Sequence, residues 1–289
     1  MNKAHISLVT SEICAFLKGR GIRMSRSAYR TKQDLNIEVD GATIYYKAML
    51  RNPLFPTILF VHEAGFHTDT FQVVTDYLEG SYNWVAVDLP GHFRSSGEAK
   101  ITIAENAIFI HVFVLELIKK HALLEKFIYV GHSFGGAIGI AVAVEQCPWL
   151  HKIVLVATSA NFTETICSDF LAKMENNVVD LAFYQKGFSP QSPRHFFESL
   201  VARLHYVPLR TIVHDFKAMA AFNYTNKLER IQCETLIVSA NDDQITPVQA
   251  GEVLHAGIKT SSWVRLEHAG HFVLMEKPRK IAAVIESFI

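Results

Sequence analysis

Val130-Gly131-His132-Ser133-Phe134-Gly135-Gly136 is a G-x-S-x-G motif set between an apolar, β-branched run, Phe127 to Val130, and a helix-forming run, Ala137 to Val144. A strand, a glycine-flanked serine and a helix in that order describe a tight strand-to-helix turn. Glycines two residues to either side of the serine let two backbone segments pass close together without Cβ clashes. Such a turn lifts the Ser133 hydroxyl clear of the sheet. It also aims the Phe134 N–H, at the helix start, toward the place where an oxyanion would form. An ordinary Gly-rich turn has the same local pattern, so the reading depends on partners for the serine elsewhere in the chain.

A serine hydroxyl is a weak nucleophile near neutrality. It needs a base within hydrogen-bond reach and an acid that fixes the tautomer of that base. In the chain order Ser, Asp or Glu, His, the histidine comes last. Leu266-Glu267-His268-Ala269-Gly270-His271-Phe272 follows a predicted strand, Ser262 to Leu266, and places His271 beside Gly270 as the candidate base. His268 is its competitor, one of 14 histidines in the chain. The acid is sought at the end of the short strand Thr235 to Ser239. There Asn241-Asp242-Asp243-Gln244-Ile245-Thr246-Pro247 offers two aspartates ahead of a proline that can open a helix. Asp242 and Asp243 both remain candidates on this ground, and both could instead cap that helix. The preceding strand, Lys152 to Ala157, runs into Thr158-Ser159-Ala160-Asn161 and supplies no carboxylate.

On these motifs the chain resembles an α/β-hydrolase over about residues 35 to 289. The family's acid stands four positions before a proline, which the resemblance places on Asp243 rather than Asp242. Its H-G-x-x loop, which supplies the second oxyanion N–H, corresponds to His62-Glu63-Ala64-Gly65 after the predicted strand Thr57 to Val61. The resemblance thus implies Ala64 as donor beside Phe134, with Gly65 as a helper, although Glu63 stands where glycine is usual. The family's D-x-x-G-x-G-x-S stretch becomes Asp88-Leu89-Pro90-Gly91-His92-Phe93-Arg94-Ser95, with Phe93 in place of the second glycine.

The resemblance implies an α/β fold: a mostly parallel eight-stranded sheet, helices on both faces and a helical cap insertion. The alternation of elements agrees. A hairpin, Leu35 to Val39 and Thr43 to Met49, is followed by strands at Thr57 to Val61, Trp84 to Asp88, Phe127 to Val130, Lys152 to Ala157, Thr235 to Ser239 and Ser262 to Leu266. Helical runs at Ala104 to His121, Ala137 to Gln146 and Pro278 to Phe288 lie between or after them. The expected division is an N-terminal helical extension over 1–34, a core over 35–159 and 227–289, and a helical cap over 160–226. The last stretch is too long for a plain loop in a compact domain. Its aromatics, Phe170, Phe183, Phe188 and Phe216 among them, are expected mostly to pack, a few lining an apolar pocket. Arg194, Arg203 and Arg210 suit either a solvated helix face or an acidic group on a substrate or carrier protein.

Composition narrows the function classes. Twenty-eight basic and 28 acidic residues balance, which disfavours a nucleic-acid partner. Hydrophobic residues at 49% supply a core, but no apolar run approaches the roughly 18 residues that span a bilayer. Cys14, Cys147, Cys167 and Cys233 show no metal or redox spacing and read as reduced thiols, consistent with the cytoplasm; a monomer or homodimer is expected. His62-Glu63 and His67 miss the zinc-binding H-E-x-x-H spacing by one position, and no phosphate- or dinucleotide-binding glycine loop is present, so no cofactor and no metal are expected.

The resulting expectation is a serine hydrolase that cleaves a carboxylic ester, lactone or thioester of a small, largely apolar acyl substrate. Serine in the turn, rather than the aspartate of epoxide- and halide-processing relatives, makes the chain similar to the esterase and lactonase branch, in particular the enol-lactonase and pimeloyl-carrier-protein methyl ester esterase group. Hydrolysis of carbon–carbon bonds, a cofactor-free haloperoxidase activity and a non-catalytic ligand receptor are the alternatives.

Overall fold

The computed structural model describes residues 31–163, 165–166 and 168–289. The expected N-terminal helical extension over 1–34 lies outside the described residues except for 31–34, which are not helical, Gln33 and Asp34 already belonging to the first strand; Cys14 and Cys167 also lie outside them.

Eight strands form one sheet: β1 (Gln33–Val39), β2 (Ala42–Met49), β3 (Thr57–Val61), β4 (Asn83–Val87), β5 (Phe127–His132), β6 (Leu150–Val156), β7 (Glu234–Ala240) and β8 (Ser261–Leu266). Their spatial order is β1-β2-β4-β3-β5-β6-β7-β8. The hairpin β1–β2 is antiparallel and joins β4 antiparallel, while every pair from β4 to β8 is parallel. The helices are α1 (Gln72–Asp76), α2 (Ile103–His121), α3 (Phe134–Val144), α4 (Ser168–Glu175), α5 (Leu181–Gln185), α6 (Arg194–Arg203), α7 (Leu209–Ala220), α8 (Val248–Gly257), α9 (Val273–Glu276) and α10 (Pro278–Phe288).

Central strands buried on both faces read as continuous apolar runs, and alternate residues divide between two cores. In β3, Leu59 and Val61 join Phe113 of α2 and Ile138 of α3 on one face. Ile58 and Phe60 join Val74 of α1 and Ile285 of α10 on the other. The chain between β6 and β7 carries α4 to α7, and its apolar residues Phe170, Tyr184, Leu200 and Phe216 continue the first core. Phe170 sits 4.3 Å from Phe183 and 4.8 Å from Phe216 between ring centroids, so the insertion has an aromatic centre of its own. Phe188 leaves that centre and stacks 4.8 Å from Phe272, beside His271.

Element ends differ from expectation by a few residues. The helical run expected over Ala137 to Gln146 is observed as Phe134–Val144: Gly135 and Gly136, weak helix formers in isolation, extend it back to Phe134, as the turn reading implied, and it stops two residues early. β5 runs on to His132, directly up to the serine.

Candidate active site

Ser133 sits between β5 and α3 with φ +52° and ψ −112°, a conformation that costs a side-chain-bearing residue about 1–3 kcal/mol and persists only when its surroundings enforce it. Here they do. The Ser133 N–H donates to the Val156 carbonyl at 2.9 Å, and the Ser133 carbonyl accepts from the Ala137 N–H at 3.0 Å and from Thr158 Oγ1 at 2.7 Å. The flanking glycines are required by close approach: a Cβ on Gly131 would lie 2.3 Å from the Gly135 carbonyl oxygen, and one on Gly135 would lie 2.1 Å from that of Val61. Phe134 is the first helical residue, so its N–H is one of those left without an intrahelical acceptor.

His271, on the loop leaving β8, is buried, and its Nδ1 lies 2.9 Å from Asp243 Oδ2. Thr246 Oγ1 is 3.1 Å from the same nitrogen and donates to the same carboxylate oxygen at 2.7 Å. Asp243 Oδ1 accepts the N–H groups of Ile245 and Thr246, both at 2.8 Å. The carboxylate is thereby locked, and the N–H of Nδ1 is directed at it, leaving Nε2 as the available lone pair. Asp242 faces the other way and accepts from Ser189 Oγ of the insertion at 2.6 Å. His268 is exposed and bonds Gln191 at 2.8 Å. Neither aspartate caps α8, whose N-cap is Pro247. Among the described residues Ser133 Oγ and His271 Nε2 make no hydrogen bond, but the two loops are stitched together beside them. His132 Nε2 donates to the His271 carbonyl at 2.8 Å, with the two rings 5.2 Å apart.

The loop after β3 departs most from the sequence reading. His62 Nδ1 donates to the Glu63 carbonyl at 2.8 Å, and its Nε2 accepts the Leu89 N–H at 3.2 Å. Burial, reinforced by the neighbouring charge of His92, holds His62 neutral, with its pKa well below the ordinary value. Gly65, expected to help as an oxyanion donor, is committed elsewhere: its N–H donates to Asp215 Oδ2 of α7 at 2.8 Å. The Ala64 N–H meets no acceptor among the described residues.

Glu63, in the position of the usual glycine, is buried, with Oε2 3.3 Å from His132 Nδ1, an ion pair without hydrogen-bond alignment. Burial opposes both charges, yet their mutual attraction lowers the Glu63 pKa and raises that of His132. A small cleft beside this pair is lined by Phe66, Leu200, Phe272 and Met275, with Glu63 and Arg203 at its polar side. Arg194 points to solvent and pairs with Glu198.

Phe93 takes φ +40°, which explains why glycine is usual there. Its ring is held between His67 at 4.4 Å, Arg94 at 4.3 Å and Tyr206 of the insertion at 4.8 Å. In the same loop His92 donates from both ring nitrogens, Nδ1 to the Pro90 carbonyl at 3.1 Å and Nε2 to Asp215 Oδ2 at 2.8 Å. Burial disfavours the charged ring, but the Asp215 carboxylate outweighs it and raises the His92 pKa.

Sequence reasoning noted Glu63 as a departure without its partner, although His132 stood in the motif itself. It passed over Thr246 within the acid's own stretch, and Asp215 carries no local motif at all. Among the described residues no cluster of three or more His, Cys, Asp or Glu could hold a metal ion, and no helix is long and apolar enough to cross a membrane.

The comparisons with known proteins agree on the architecture. The mouse monoacylglycerol lipase ABHD6 is 26% identical over 261 residues, covering 81% of this chain and 75% of that protein. The hydrolase YugF of Bacillus subtilis is 25% identical over 280 residues, covering 87% and 96%. Among solved structures, an esterase from Exiguobacterium antarcticum superposes with a TM-score of 0.76 at 18% identity, covering 89% of this chain and 99% of that one. The enol-lactonase from Burkholderia xenovorans LB400 does so with a TM-score of 0.73 at 17% identity, covering 88% and 99%. The model of the alpha/beta hydrolase family matches residues 58–284, and the chain belongs to that family.

Proposed function

We propose that this protein hydrolyses carboxylic esters of small, largely apolar acyl groups, lactones and thioesters being close variants, through an acyl-enzyme on Ser133. The observation that carries the reading is the buried His271–Asp243 pair, 2.9 Å apart, stitched through His132 to a turn that holds a serine at positive φ. His271 Nε2 takes the Ser133 proton as Oγ attacks the ester carbonyl carbon, and the Phe134 and Ala64 N–H groups stabilise the oxyanion. His271 then passes the proton to the departing alkoxide. Water, deprotonated by the same nitrogen, attacks the acyl-enzyme and releases the acid and Ser133. Contacts between nucleophile and base are often long without substrate and shorten when it binds. The apolar lining of the cleft, Phe66, Leu200, Phe272 and Met275, matches an apolar acyl group in chemistry. Its free volume of about 10 Å³ holds no more than a water, so these side chains must part to admit such a group. The insertion over 160–226 serves as the cap. Relatives named as a monoacylglycerol lipase and an enol-lactonase support ester and lactone chemistry.

The test is hydrolysis of p-nitrophenyl acyl esters of graded chain length by the wild type and Ser133→Ala, with parallel lactone and thioester panels. Turnover by the wild type that vanishes in the variant supports the reading. Equal turnover in both, or tight binding of the esters without turnover in either, defeats it.

A further inference from the structure

Helix α7 does more than cover the core. Three residues on one face of it, Thr211, Ile212 and Asp215, reach two loops of the sheet domain. Thr211 Oγ1 donates to the Gly91 carbonyl at 3.1 Å. Ile212 packs on Gly65 so closely that a Cβ there would lie 2.9 Å from its side chain. Asp215, 1% exposed, accepts the Gly65 N–H and the His92 Nε2–H on one oxygen, Oδ2, each at 2.8 Å. Gly65 has φ +74° and directly follows Ala64, so an anchor on its N–H fixes the peptide planes on which the direction of the Ala64 N–H depends.

We infer that Asp215 is a positioning residue, which holds the Ala64 N–H in line for the oxyanion by anchoring Gly65 from the insertion. The inference rests on the ester-hydrolase reading and adds to it a residue that touches neither substrate nor Ser133. A donor misdirected by a fraction of an ångström costs transition-state stabilisation and leaves ground-state binding nearly intact. Asp215→Asn keeps an oxygen at the shared position, whereas Asp215→Ala removes it.

The experiment compares wild type, Asp215→Asn, Asp215→Ala and Thr211→Val by ester kinetics, thermal melting and hydrogen exchange of the 63–66 amides. Asp215→Ala is expected to lower kcat by about 10- to 100-fold, the scale for a small misplacement of a catalytic group, with KM within about twofold. Asp215→Asn recovers most of that loss. Thr211→Val cuts a tie of the same helix and leaves kcat within about twofold. The 63–66 amides exchange faster in Asp215→Ala than in Asp215→Asn. An unchanged kcat in Asp215→Ala, an equal fall in Asp215→Asn, or unchanged exchange overturns the inference. If the wild type hydrolyses no ester, the ester reading fails, and the exchange comparison alone decides whether Asp215 anchors Gly65.

Discussion

Of the three buried carboxylate–imidazole pairs around the site, Asp243–His271 and Asp215–His92 are wired in opposite ways. In the Asp243–His271 pair the carboxylate is saturated by two backbone N–H groups and Thr246, and only one imidazole nitrogen is engaged. In the Asp215–His92 pair the imidazole is saturated, both nitrogens donating, while the carboxylate oxygen is shared with a backbone N–H. A histidine with one free nitrogen can exchange a proton with a substrate; one with both nitrogens committed is a fixed cation. The contrast separates a group suited to chemistry from one suited to fastening, on connectivity alone.

The sharpest way to break the comparison is to remove each imidazole. His271→Ala is expected to lower kcat/KM by about 10⁴- to 10⁶-fold on the ester that serves best, with a melting temperature close to that of the wild type. His92→Gln should do the reverse, lowering the melting temperature far more than it lowers the rate attainable at low temperature. A His92→Gln variant as inactive as His271→Ala would erase the distinction.

The next effect separates the two adjacent acids. Asp243→Asn breaks the tautomer-fixing contact and is expected to cost about 10⁴-fold in kcat. Asp242→Asn alters only the bond from Ser189 and should stay within about threefold. The opposite ranking by steady-state kinetics would move the acid to Asp242.

A smaller effect appears in stability against pH. His92 is charged in the folded state above its ordinary pKa of 6.5, under the combined influence of burial, the facing Asp215, the more distant Asp88 and the neighbouring neutral His62. Its contribution is complete below about pH 6.5 and disappears as the pH rises through the elevated folded value. His67, which burial lowers to about 4, works in the other direction, costing stability as the pH falls from 6.5 toward 4. Melting temperature should therefore fall on the alkaline side in the wild type and less steeply in His92→Gln; parallel curves would refute the assignment of charge.

The smallest effect is expected at Arg194. It is nearly fully exposed and, among the described residues, paired only with Glu198 one helical turn away, so Arg194→Ala should leave melting and ester turnover unchanged. A marked loss confined to a carrier-bound substrate would instead assign this face to a protein partner.

The sheet was legible because β-branched runs and glycine turns are local signals; the strands fall where Thr57–Val61 and Phe127 onward promised them. The sites of Ser133, Asp243 and His271 could be nominated for a similar reason, since each lies just past a strand end in a short recognisable stretch. What escaped was long-range. Glu63 looks like an isolated oddity until the fold sets it against His132. Asp215 looks like one more charge on an amphipathic helix until α7 is laid over the loops at Gly65 and His92. Gly65 reads from the sequence as a helper to Ala64 at the oxyanion because nothing nearby in the chain announces its acceptor, Asp215.

The shared oxygen of Asp215 has a practical consequence for engineering. Because residues 65, 92 and 215 meet at one atom, the segment between β6 and β7 cannot be exchanged as an independent module. A chimera that takes this segment from a relative with no hydrogen-bond acceptor in that place would leave the His92 imidazole and the Gly65 N–H without their shared partner and slacken the loop beneath it. Any redesign of the candidate site by segment swapping must therefore carry the three positions together.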